Sequence, residues 1–186
     1  VQILEGTAEF SSKKSLLVTK KDGSTETVEF ENCIIATGSS PTVIPGLEVD
    51  QDKVVDSTGA LAFKALPKSM AIVGGGYIGL ELGMAYAKFG TKVTIVEFMD
   101  SVLASFDKDV IQLIQKKLKK LGVETLSNSK AQGTKKSGKQ VILGVETPDG
   151  MKELKVDHVA VCVGRQPNTK SLNLAKAGLE PEKSGF

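Results

Sequence analysis

The stretch Met70-Ala-Ile-Val-Gly-Gly-Gly-Tyr-Ile-Gly-Leu-Glu-Leu-Gly83, followed by Lys92-Val-Thr-Ile-Val-Glu97, constrains this chain more than any other. An apolar run breaks at a Gly-x-Gly-x-x-Gly loop, passes into a helical pattern, and is followed by a second apolar run that ends in a carboxylate. This order describes a strand, a turn, a helix and a parallel strand, the unit that holds the pyrophosphate and one ribose of a dinucleotide. The glycine pattern alone would say much less; the whole supersecondary context gives it weight.

Each residue type has a physical task. Gly74 makes the tight turn off the strand, Gly76 lets the backbone approach the pyrophosphate, and Gly79 lets the helix pack closely on the strand. Gly75, Tyr77 and Ile78 complete the loop, and Gly83 extends the close contact by one turn. The free N–H groups and the positive end of the helix dipole then face the phosphates. Glu97 follows Gly79 at close to the spacing of about 20 residues expected for the acid that accepts from the adenosine ribose hydroxyls. A 2′-phosphate would be repelled by that carboxylate, and residues 98 to 107 contain no Lys or Arg. The expected nucleotide is therefore NAD rather than NADP.

Composition excludes several other functions. The net charge of +2 is too small to argue for nucleic acid, and the basic set is lysine apart from Arg165. The densest basic run, Lys116, Lys117, Lys119 and Lys120, lies on an expected amphipathic helix from Asp107 to Leu121. Its apolar positions Val110, Ile111, Ile114, Leu118 and Leu121 recur at helical spacing, so the lysines form a solvated face. No apolar run reaches the roughly 18 residues of a membrane span, and residue 1 opens no signal peptide. Cys33 and Cys162 fall in expected strands and read as buried core thiols rather than a redox pair. His158 has no second histidine beside it, so no metal site is expected.

Two segments share one layout. Leu16–Asp22-Gly23, Thr27–Phe30 and Cys33–Gly38-Ser-Ser-Pro41 correspond to Val141–Asp149-Gly150, Leu154–Val156 and Val159–Gly164-Arg-Gln-Pro167. In each, an Asp-Gly turn joins two strands, and an apolar strand then ends in Gly-x-x-Pro. The layout suggests two related dinucleotide domains, one interrupting the other. The offset from Gly74 to Asp149, applied backwards from Asp22, falls before residue 1. The expectation is a middle piece of a larger protein. The fold class expected is α/β, with a Rossmann-like parallel sheet, helices packed on it and a β-meander. A short helix is expected near Thr58–Lys64, and residues 165 to 186 read as irregular, although Leu172, Leu174 and Leu179 should pack somewhere.

Beyond the glycine loop, Ile35-Ala-Thr-Gly-Ser39, Ile44-Pro-Gly46, Ser57-Thr-Gly-Ala-Leu61, Val96-Glu-Phe98 and Val163-Gly-Arg-Gln-Pro-Asn-Thr169 complete a pattern. Over essentially its whole length the chain resembles the pyridine nucleotide–disulfide oxidoreductase family of flavoproteins, and within it the branch that oxidises dihydrolipoamide. That resemblance implies an FAD domain interrupted by an NAD domain. Residues 1–40 would be the tail of the FAD domain's meander, 41–165 the NAD domain, and 166–186 the return toward the FAD domain. Thr37, Gly38 and Ser39 would lie beside FAD, as would Gly6. Ala131 would line the adenine side and Gly164 would approach the nicotinamide. Tyr77 would cover the nicotinamide pocket, and Glu81 would lie near the carboxamide.

The resemblance also implies what lies outside residues 1–186: the FAD-binding glycine loop, the redox disulfide, and the interface domain with its catalytic His–Glu pair. No residue here is expected to be catalytic. The chain alone is expected to bind NAD(H) weakly to moderately and to oxidise no dihydrolipoamide. The implied partners are the rest of the FAD domain, the interface domain, a second subunit and a 2-oxo acid dehydrogenase complex, with neither nucleic acid nor membrane. The implied location is bacterial cytoplasm or mitochondrial matrix, not a secreted protein. The alternatives are another disulfide or flavoprotein reductase of the family, and a stand-alone NAD-binding module.

Overall fold

The computed structural model describes residues 1–185, and these divide into two compact units. One comprises Val1–Ser40 with Arg165–Phe186, the other Pro41–Gly164.

In the first unit, β1 (Thr7–Ser12), β2 (Ser15–Thr19) and β3 (Thr25–Glu29) form an antiparallel meander in that order. The β2–β3 turn is closed by Gly23 at φ +82°, and Asp22 accepts the Ser24 N–H at 2.9 Å. A glycine takes that left-handed conformation without steric cost. Phe10 and Val18 are buried, and Phe10 meets Phe30 edge to face. The Cys33–Thr37 run forms no strand, and Cys33 is exposed rather than a core thiol. An apolar run becomes a strand only where a neighbouring strand takes up its backbone groups, and none pairs with this run among the described residues. β4 (Ser39–Pro41) follows it.

The second unit is built around a parallel sheet. Its strands are β5 (Val54–Val55), β6 (Ser69–Val73), β7 (Lys92–Val96), β8 (Glu124–Leu126) and, after a meander, a last strand at His158–Val161. Between them lie α1 (Ser57–Leu61), α2 (Tyr77–Lys88) and α3 (Lys108–Lys120). The meander is β9 (Lys130–Ser137), β10 (Gln140–Thr147) and β11 (Gly150–Val156). β12 (His158–Val161) then slots between β5 and β6, giving the order β5-β12-β6-β7-β8 with every pairing parallel. The α/β class, with parallel sheet and meander, is as the sequence indicates.

Both faces of this sheet are covered, which is why its strands are apolar without alternation. Met70, Ile72, Val93 and Ile95 pack with Leu80, Leu82 and Leu118 of the helices. Ala71, Val73, Val96, Val159 and Val161 pack with Val141, Leu143 and Val145 of the meander. Within α3, Leu118 is buried while Ile111 and Ile114, together with Leu121 at the C-cap, pack against the core. Val110, expected in that apolar stripe, is instead exposed. α1 ends at Leu61 rather than Lys64, where the Ala62 N–H turns back to the Gly59 carbonyl. Cys162, just past β12, is buried as expected.

Residues 165–185 return to the first unit through β13 (Arg165–Pro167), paired with β4, and two short 3₁₀ turns. Leu172 is buried there, Leu174 is half-buried, and Leu179 is exposed against expectation. No helix among the described residues is long and apolar enough to cross a membrane.

Candidate nucleotide-binding cleft

β6 delivers Gly74 to the carboxyl end of the sheet, and α2 starts three residues later. Gly74 has φ +106°, and a Cβ there would lie 2.5 Å from the carbonyl oxygen of Cys162. Two separate physical demands therefore exclude a side chain at Gly74. A Cβ on Gly79 would collide with the Gly74 carbonyl and come within 3.1 Å of Ile72, so the helix sits on the strand only because this residue is glycine. Gly76 differs: nothing lies within 4 Å of its would-be Cβ. It caps α2, whose first N–H groups, those of Tyr77, Ile78 and Gly79, have no partner within a helix.

These residues line a cleft of about 760 Å³ within the second unit. Gly74, Gly75, Gly76, Tyr77 and Ile78 form one wall, and Glu97, Phe98 and Met99 form the next. Ser129, Lys130 and Ala131 approach from the meander, and Cys162, Val163 and Gly164 from the strand beside β6. Tyr77 stands 60% exposed on the cleft wall. Glu97 lies just beyond β7. Its carboxylate accepts the Gly75 N–H at 2.6 Å and the Met99 N–H at 2.7 Å. The loop after β7 folds back over the glycines, and the Leu103 N–H reaches the Gly75 carbonyl at 3.0 Å. Leu103 does so at φ +52°, a left-handed conformation costing about 1 kcal/mol for a residue with a Cβ.

Of the residues singled out from sequence, Gly74–Ile78, Glu97, Ala131 and Gly164 are brought together in this cleft, with Gly79 directly beneath it. Glu81 is not: it is exposed on α2 and lies outside the lining. Gly6, Thr37, Gly38 and Ser39 belong to the other unit. There Gly6 has a reason of its own, since a Cβ would meet the Thr19 carbonyl at 2.6 Å and Val18 at 2.8 Å. Arg165 donates to the Ser39 hydroxyl at 2.7 Å and Asn168 to the Thr37 carbonyl at 3.1 Å, so both hold the Thr37–Ser39 turn in shape.

The sequence reading missed these two clamps, whose partners lie far away along the chain. It also missed Lys130, the one cation among the described residues lining the cleft, which follows Glu97 only after β8. The apolar wall of Phe98, Met99 and Phe106 was legible only as part of the cation-free stretch 98–107 that follows Glu97. Cys162 lines the cleft too, with its thiol pKa pushed up to about 11, first by burial and then by the charge of Asp56. His158 heads β12, with Nδ1 2.8 Å from the Asp52 carbonyl oxygen and its ring against Phe63. Among the described residues no group of three or more His, Cys, Asp or Glu could hold a metal ion.

Comparison with known proteins agrees with this geometry. The chain is 42% identical over its whole length to a dihydrolipoyl dehydrogenase of Geobacillus stearothermophilus, covering 39% of that protein. It is 40% identical, again over its whole length, to one of Bacillus subtilis, covering 39% of it. Among solved structures it is similar to LpdA from Mycobacterium tuberculosis, with a TM-score of 0.87 at 28% identity, covering 100% of this chain and 41% of that one. It is also similar to the HOCl-induced flavoprotein disulfide reductase RclA from Escherichia coli, solved as its Cu(II) complex. That match has a TM-score of 0.85 at 34% identity and covers 99% of this chain and 41% of the other. The chain thus spans about two-fifths of the length of the relatives it matches. The family model for pyridine nucleotide-disulphide oxidoreductases matches residues 1–186. With a glycine loop, an acid after β7 and a match over its whole length, the chain belongs to the pyridine nucleotide-disulphide oxidoreductase family.

Proposed function

We propose that this chain is the NAD-holding part of a flavin-dependent dihydrolipoamide dehydrogenase. One observation carries the reading: the glycine loop, the N-terminus of α2 and Glu97 meet in one cleft. Relatives named dihydrolipoyl dehydrogenase match the chain over its whole length, which supports it further. The open space at Gly76 and the unpartnered first N–H groups of α2 fit a pyrophosphate. Glu97 accepts from the adenosine ribose, Ala131 faces the adenine side, and Gly164 and Tyr77 border the nicotinamide. Thr37, Gly38 and Ser39, with Gly6, serve FAD in the same way, within an FAD domain that residues 1–40 and 166–186 help to complete and that 41–165 interrupts. Gly38 suits that role, since its would-be Cβ meets nothing within 4 Å.

FAD, held in part by Thr37, Gly38 and Ser39, would supply electron transfer from a disulfide reduced by dihydrolipoamide to NAD⁺, which Gly74–Gly79 and Glu97 would hold. The contribution of these residues is binding and orientation. The redox disulfide and the catalytic histidine belong to the remainder of the protein, so this chain alone oxidises no dihydrolipoamide. The remaining partners proposed are a second subunit and a 2-oxo acid dehydrogenase complex, in bacterial cytoplasm or mitochondrial matrix. Similarity to RclA supports a second reading, the nucleotide domain of another flavoprotein disulfide reductase.

Glu97 favours NAD because a 2′-phosphate would add charge beside a carboxylate; Lys130 works in the opposite direction. Titration of the chain with NADH and with NADPH tests the reading. At least tenfold tighter binding of NADH is expected, the effect of a difference of about 1.4 kcal/mol. Equal or tighter NADPH binding would overturn it.

A further inference from the structure

We propose that Glu97 is also a positioning residue: besides accepting from the ribose, it sets the conformation of the glycine loop that binds the phosphates. The inference rests on the nucleotide reading and adds a second role at the same site.

Four hydrogen bonds converge on this residue. Its carboxylate takes the Gly75 N–H at 2.6 Å through Oε2 and the Met99 N–H at 2.7 Å through Oε1. Its own N–H donates to the Leu126 carbonyl at 2.8 Å, and its carbonyl accepts the Ser129 N–H at 2.9 Å. Glu97 thereby joins the glycine loop, the turn after β7 and the entry to β9. Gly75 is shaped to this contact. A Cβ there would lie 2.8 Å from Val102 Cγ1, 3.0 Å from Oε2 and 3.3 Å from the Glu97 Cβ, so a side chain would press on Val102 and on the carboxylate together. The Gly75 carbonyl is held from the other side by the Leu103 N–H at 3.0 Å.

Gly75 is thus fixed through both its N–H and its carbonyl, and the next residue, Gly76, is the cap of α2. The direction of the first free N–H groups of the helix follows from that fixation. On electrostatic grounds alone, an anion beside a pyrophosphate site weakens phosphate binding. Charge-assisted hydrogen bonds to backbone N–H groups are strong enough to reverse that sign by holding the donors in place.

The opposite signs make the test decisive. The full chain and its Glu97→Gln variant are titrated with inorganic pyrophosphate, which has no ribose, and with NADH, while backbone amide signals are followed by NMR. If Glu97 served the ribose alone, the variant would bind pyrophosphate equally well or more tightly, having lost a neighbouring negative charge. Positioning predicts the reverse: pyrophosphate affinity falls by about fivefold, the effect of one lost hydrogen bond. The Gly75 or Met99 amide signal moves upfield in the variant, while the Leu80 signal inside α2 does not. Glu97→Asp, which keeps the negative charge but draws the carboxylate back from the Gly75 N–H by one methylene, lowers pyrophosphate affinity in the same direction and covers the case in which Glu97→Gln fails to fold. Unchanged or tighter pyrophosphate binding in a folded variant, with NADH still bound by the parent chain, overturns this inference alone. A parent chain that binds neither NADH nor pyrophosphate overturns the nucleotide reading and this inference together.

Discussion

At the scale of single residues, the two cysteines show how one pattern leads to two outcomes. Each closes or opens an apolar run in the repeated layout, and the sequence alone makes both core thiols. Cys162 follows a strand flanked on both sides, and its N–H reaches the Val73 carbonyl at 2.7 Å. Cys33 opens a run with no strand partner among the described residues and is exposed. Thiol reactivity follows exposure and thiolate fraction. With burial holding the Cys162 thiol near 11, a disulfide-exchange reagent at pH 8 should label one thiol rapidly in the native chain and the second only on unfolding. Cys33→Ser should abolish the rapid phase; a rapid phase that survives would mean that Cys162 is open to solvent. The glycines were far more legible. Gly74 and Gly79 announce themselves because no other residue survives their contacts, and those contacts recur wherever a helix follows a strand this closely.

At the scale of elements, strand and helix placement was largely readable because both sheet faces are covered, leaving long apolar runs with polar breaks between them. The fastening between elements was not readable. Asp157, in the turn between β11 and β12, accepts the Lys68 and Ser69 N–H groups at 2.8 and 3.0 Å and the Gln140 side chain at 3.1 Å. It ties the start of β6 to the start of β10, and in sequence it is one acid among many. Partial burial pushes its carboxyl pKa up, but the donors from Gln140, Ser69 and Lys68 together bring it below the usual carboxylate value. A folded pKa below the unfolded one gives stability that is present above the unfolded value, about 3.9, and is lost as pH falls through the folded one. Asp157→Asn should therefore lower the urea midpoint at pH 7 by an amount worth about 1 kcal/mol. It should also flatten the decline seen below about pH 4. Identical pH profiles for the two proteins would remove this carboxylate from the acid transition.

At the scale of the whole molecule, the chain carries one thoroughly enclosed core and one thin one. The sheet of the second unit is covered by helices on one face and by the β9–β11 meander on the other. In the first unit, Ile34 is 92% exposed within an apolar run that has no strand beside it among the described residues. An exposed apolar run of this kind invites association with other chains. Ile34→Lys should reduce concentration-dependent association in sedimentation velocity without moving the NADH affinity. Association that is unchanged in the variant would place the sticky surface elsewhere. The contrast between the units separates what each level of information determined. The sequence alone determined the β-α-β unit, the two meanders and the loop-plus-acid pairing, because these rest on local periodicity, on glycines with no substitute, and on a fixed spacing. Only the tertiary structure decided that β12 finds strands on both sides while Cys33–Thr37 finds none among the described residues, that Lys130 enters the cleft, and that Glu97 grips Gly75. Each of those outcomes depends on which distant segment supplies a backbone or side-chain partner, and no local pattern of residue types encodes that.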